Sequence, residues 1–160
     1  MTVISRIRFA LTAAILAAAY FYLLGYLVGW MSVHQRPGWW LGAFPSRYIA
    51  AITWLVVLHT AAVLSAALPV ALAAVVLARQ KAVQLGLAAA ALATAAAIIP
   101  SLSSTIWPII WNSHPVFFVT DQIKLIVAVP FIAWVLRSAS SNHRFERSRV
   151  MSSVSQGGGR

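Results

Sequence analysis

Four long stretches almost free of charge, separated by short basic segments, constrain this chain more than any motif in it. They run over 9–30, 48–78, 82–100 and 116–136, the last interrupted only by Asp121 and Lys124. A helix rises about 1.5 Å per residue and the hydrocarbon core of a bilayer is about 30 Å thick, so each stretch has the length of a transmembrane helix. The expected fold is an all-α membrane protein, a four-transmembrane-helix bundle. Composition agrees: 61% of the 160 residues are apolar and 9% are charged, against about 25% charged in a soluble domain. Such a chain has too little polar surface for water.

The basic residues set an expected orientation. Arg6 and Arg8 precede the first stretch, Arg79 and Lys81 separate the second from the third, and Arg137, Arg144, Arg147, Arg149 and Arg160 follow the fourth. Four spans put those nine on one side and leave Arg36, Arg47 and Lys124 on the other. The positive-inside rule then places both termini in the cytoplasm. Arg6 and Arg8 ahead of Ala17-Ala18-Ala19 also fit the start of a cleaved signal. However, the chain stays apolar through Trp30, where a signal would give way to a polar mature sequence, so an uncleaved signal anchor is expected.

Aromatic residues mark both segments expected on the outer side. The first, 31–47, turns at Pro37-Gly38 and carries Trp39, Trp40 and Phe44 ahead of Tyr48, rings that settle at the headgroup level; it is expected to lie along the membrane. The second, 100–120, holds Pro100, Pro108 and Pro115 with Trp107, Trp111, Phe117 and Phe118. Prolines at this spacing exclude one straight helix through to the fourth span, and a short interfacial or re-entrant element is expected.

Small residues predict where helices approach. Gly25 and Gly29 form one small-x-x-x-small pair, and Gly86, Ala90 and Thr94 repeat the spacing in an alanine-rich third span, which is therefore expected to be central. The plainer reading is that alanine richness reflects composition alone. Pro69 and Pro130 are expected to kink their helices and free carbonyls that neighbours must satisfy.

Few polar groups fall at membrane depth, where they are costly. His59 with Thr60 lies about twelve residues into the second span, near the midplane. It reads as a proton-carrying or ligand-binding imidazole, or as a neutral histidine bonded to a neighbouring helix. Asp121 and Lys124, three residues apart, share a helix face and can neutralise each other, and Thr120 or Asp121 can cap the fourth helix. The sharper reading joins Asp121 and Lys124 with His114, Arg36 and Arg47 in an outer polar mouth that binds a polar or anionic headgroup.

The 137–160 segment is serine-rich and basic with no apolar periodicity, and is expected to be a disordered cytoplasmic tail held near anionic lipid. It lacks a nucleic-acid module. There are no cysteines, and no histidine cluster at metal spacing, phosphate loop or nucleophile elbow is present. No cofactor, metal site or enzymatic activity is expected; Ser103, Ser104 and Ser113 near His114 and Asp121 are too weak a constellation for hydrolysis. Two roles remain. The first is a non-enzymatic bacterial inner-membrane protein, an accessory subunit, assembly factor or immunity or exclusion protein, acting on another membrane protein or as a homo-oligomer through the Gly25/Gly29 face or the aromatic loops. The alternative is a small oligomeric transporter or lipid-linked carrier flippase using His59 and the outer mouth.

Overall fold

The computed structural model describes residues 3–33, 37–102 and 115–157. Five helices occupy them: α1 Val3–Ser32, α2 Gly38–Gly42, α3 Arg47–Leu77, α4 Ala82–Leu102 and α5 Pro115–Gly157. The described residues contain no strand. Four of the helices are long and apolar enough to span a membrane, over Ile4–Met31, Arg47–Leu77, Ala82–Ile99 and Phe118–Ser140. The chain is a multi-pass, all-helical membrane protein.

Local chemistry sets the helix ends. Ser46 is the N-cap of α3, its hydroxyl accepting from the Ile49 N–H at 3.2 Å, which satisfies one of the donors a helix start leaves open. Pro115 opens α5, a position where its missing N–H costs nothing. Between α3 and α4 the chain turns within residues 78–81: Ala78 donates to the Ala74 carbonyl at 3.0 Å and Lys81 to the Ala78 carbonyl at 2.7 Å. So short a connection folds α4 back antiparallel along α3.

Helix α5 departs from the sequence reading. The basic segment expected to be disordered continues the helix to Gly157. The local reason is that no proline or glycine occurs between Phe131 and Gln156, so nothing in that stretch breaks a helix already propagating. The proline-rich 103–114 segment lies outside the described residues.

Helices α3 and α4 each pack against the other three long helices, and α1 meets α5 through the Tyr20 side chain. The core between them is largely alanine: Ala66, Ala67, Ala71, Ala74, Ala89, Ala90 and Ala133 are buried with Val63, Leu85 and Val129. Side chains this small let backbones approach closely, which in lipid replaces the hydrophobic drive of water. Gly86 shows the limit: a Cβ there would lie 3.2 Å from Val129 Cγ1 and 3.5 Å from the Pro130 backbone. The glycine admits α4 against α5 at the proline. Gly25 and Gly29 differ, because a Cβ at either would meet nothing within 4 Å. Gly25 borders a cavity that α4 and α5 also line.

Two polar contacts tie the bundle together. The Tyr20 hydroxyl of α1 donates to the Leu125 carbonyl of α5 at 3.2 Å, next to the Ile126 carbonyl, whose helical donor Pro130 cannot supply. At one end of the bundle the Arg137 guanidinium donates to the Gln80 carbonyl at 3.3 Å, so Arg79, Lys81 and Arg137 gather there.

Candidate functional site

At the opposite end, α3 and α5 start side by side and run in the same direction. His59 lies twelve residues into α3 and Asp121 six into α5, so α5 begins about 9 Å further along the axis at about 1.5 Å per residue. That offset brings the two side chains level. His59 Nδ1 lies 3.2 Å from Asp121 Oδ1, and Lys124 Nζ donates to the same oxygen at 3.0 Å.

The three groups form one cluster. Their side chains are 26%, 34% and 29% exposed for His59, Asp121 and Lys124, so the cluster is neither sealed in the core nor free at the surface. Lys124 balances Asp121, and the pair costs far less at membrane depth than either charge alone. His59 Nδ1 is buried and has no aligned hydrogen-bond partner despite its closeness to the carboxylate. The contact has the distance of an ion pair without the direction of a hydrogen bond.

The cluster stands at the wall of a cleft of about 410 Å³ between α1 and α3. Val28 and Met31 of α1 face Ile52, Leu55 and Val56 of α3 across it, with His59 and Asp121 supplying its charge-bearing groups and Tyr48 near the α3 start. Leu55 and Tyr48 are largely exposed, so the cleft opens sideways from the bundle. A pocket of this size falls within the range that holds small-molecule ligands. Val28 also borders a second cavity of about 230 Å³ between α1, α4 and α5.

The structure distributes the expected site residues unevenly. His59, Asp121 and Lys124 come together. Thr60 does not join them, because its hydroxyl donates to the Val56 carbonyl of its own helix at 2.7 Å. Arg47 is exposed in the first turn of α3. Arg36 and His114, with Ser103, Ser104 and Ser113, lie outside the described residues. Of the packing residues, Gly86, Ala90 and Thr94 are buried against neighbours, whereas a Cβ added at Gly25 or Gly29 would meet nothing within 4 Å.

Sequence reasoning missed both the pairing of His59 with Asp121 and the apolar walls of the cleft. A signal for the pairing was present: in a four-span bundle α3 and α5 run the same way, and beyond the first turn of α3 each carries one ionisable group or pair within its first four turns. The aromatic segment before α3 also does more than line an interface. The Trp40 indole N–H donates to the Ala50 carbonyl at 2.9 Å and its ring packs on Trp54 at 5.0 Å and on Phe44 at 5.2 Å, which pins α2 to the start of α3.

No family model, curated protein or solved structure matches this chain.

Proposed function

We propose that this protein binds an amphiphilic ligand in the lateral cleft and carries or presents it within the membrane, as a small transporter or lipid-linked carrier protein without catalysis of its own. The observation that carries the reading is a charged cluster set into the wall of an otherwise apolar, side-opening cleft. An apolar cavity takes a hydrocarbon, and a polar group in it fixes one end of that ligand. An amphiphile can enter from the bilayer without leaving lipid. The bacterial inner membrane, with both termini cytoplasmic, remains our placement, resting on the nine-to-three asymmetry of basic residues.

The test is saturable binding of a dansylated long-chain fatty acid to the purified protein in nanodiscs. Saturation that Val28→Trp, in the cleft wall, weakens at least tenfold supports the reading. Uptake indistinguishable from empty nanodiscs would sink it.

A second reading is favoured by Gly25. Gly25 and Phe21 border the second cavity, and the exposed Tyr22 and Tyr26 beside them offer another transmembrane helix a contact face, as an accessory or assembly role or a homo-oligomer requires. Gly25→Leu should then abolish co-purification of a stoichiometric partner or self-association; an unchanged assembly would remove this reading.

A further inference from the structure

The second cavity adjoins the cleft at Val28 and has a polar feature that the cleft reading does not use. Its walls are apolar, from Phe21 and Leu24 of α1 to Ala93 and Ala97 of α4 and Leu125 of α5. Of its two polar residues, Tyr20 is occupied by the Leu125 carbonyl. The other, Thr94, is 4% exposed, and its hydroxyl has no hydrogen-bond partner.

That hydroxyl is out of character for a helical threonine. Thr12, Thr53 and Thr60 each donate to the carbonyl one turn back, at 2.7–2.8 Å, the usual solution when no other acceptor is near. Thr94 does not. A buried hydroxyl left unpaired is costly, and the cavity it lines has room for an acceptor. Leu125, on the same cavity wall, follows Asp121 by one helical turn, so the hydroxyl lies about a turn deeper than the charged cluster.

Charge supplies the other end of the ligand. The chain has two acids, Asp121 and Glu146, and both His59 and Lys124 already approach Asp121 Oδ1. With Lys124 and Arg47 at the same end of the bundle as Asp121, their formal charges leave that end positive. An anionic headgroup is attracted there and a cationic one repelled.

Building on the amphiphile reading, we infer that the ligand is an anionic lipid with an ester-linked hydrocarbon chain. Its headgroup sits in the cleft beside His59, at the end of the bundle that holds Lys124 and Arg47, its backbone passes Val28, and its ester carbonyl accepts from Thr94 with its chain in the second cavity. The cleft and the second cavity are thus two subsites for one molecule.

The experiment compares three probes on the detergent-purified protein by native mass spectrometry: 1-oleoyl lysophosphatidic acid, its 1-O-alkyl ether analogue, and 1-oleoyl lysophosphatidylcholine. The ester phosphate should bind more tightly than the choline lipid. It should also bind about fivefold more tightly than the ether analogue, the worth of one hydrogen bond. Thr94→Val, close in shape, should erase the ester-over-ether preference while keeping the preference for phosphate, and Val28→Trp should weaken every long-chain probe. Saturable binding with no ester preference in the wild-type protein would overturn the inference and leave the amphiphile reading standing; this arm needs no variant to fold. Tighter binding of the choline lipid would overturn the charge assignment. Absence of saturable binding by all three would overturn both readings.

Discussion

The two ends of this bundle are built from the same helices on opposite principles. Towards the α3–α4 turn the contacts are alanines and Gly86, the backbones approach closely, and Leu85 and Val129 are fully buried. Towards the start of α3 the facing residues of α1 are Leu24, Val28 and Met31, and two cavities open on either side of Val28. Small side chains draw helices together; larger ones hold them apart unless a partner fills the gap. The contrast teaches that rigidity and ligand space can be allotted to different ends of four helices by residue size alone. The charged cluster stands at the open end, where its groups reach a cleft and avoid complete desolvation.

The largest effect expected from breaking this contrast is at Gly86. Leucine there would drive a side chain into Val129 and the Pro130 backbone, where even a Cβ is tight at 3.2 Å. The loss should be about 2–3 kcal/mol, as for an overpacked core. Gly25→Leu, made where a Cβ meets nothing within 4 Å, should change the stability of the isolated chain by less than about 0.5 kcal/mol. Thermal unfolding of the two variants in the same detergent checks the pair. Similar losses from both would show that the ends are not packed differently.

Next in size is the charged cluster. Asp121→Asn removes the oxygen's charge and leaves Lys124 without a counter-ion, at a stability cost of about 1 kcal/mol, modest because a quarter to a third of each side chain is exposed. Adding Lys124→Met should return most of that stability. Binding of an anionic ligand, in contrast, should hold or tighten in the single variant, where Lys124 is freed, and weaken in the double. Unchanged binding in the double would mean that the cluster only holds α5 in place and takes no part in recognition.

How much was legible beforehand follows the same division. The four helices were readable because a span of apolar residues in lipid has no alternative to helix, and their bounds differ from the expected ones by a few residues at most starts and ends. The start of α1 lies further out, at Val3, because Arg6 and Arg8 sit on the helix itself. The helical course of residues 137–157 was not readable from hydropathy: it depends on the absence of breakers, a weaker signal than polarity. His59 and Asp121 were each singled out, yet their pairing was hidden by the 9 Å stagger between the starts of α3 and α5. Counting residues from each helix start put one at the midplane and the other at the mouth. The cleft left no mark in the sequence, since Val28, Met31, Ile52 and Leu55 look like any other lipid-facing residues until three helices are arranged around them.

A smaller effect than at the cluster is expected at the boundary between the two ends, where Tyr20 joins α1 to α5. Tyr20 is 1% exposed, and its hydroxyl supplies one donor to the Leu125 carbonyl at 3.2 Å. Tyr20→Phe keeps the ring and its packing. The Leu125 carbonyl still faces the N–H of Val129 four residues on, as in any helix, so no acceptor is stranded. Interhelical hydrogen bonds in membrane bundles are worth about 0.6 kcal/mol on average, and a loss of that size is expected in thermal or denaturant unfolding. A loss above about 2 kcal/mol would require the hydroxyl to hold the Pro130 kink in shape. The close packing of Gly86 against Pro130 would then depend on a contact beside the second cavity, and the tight and open ends would form one cooperative unit.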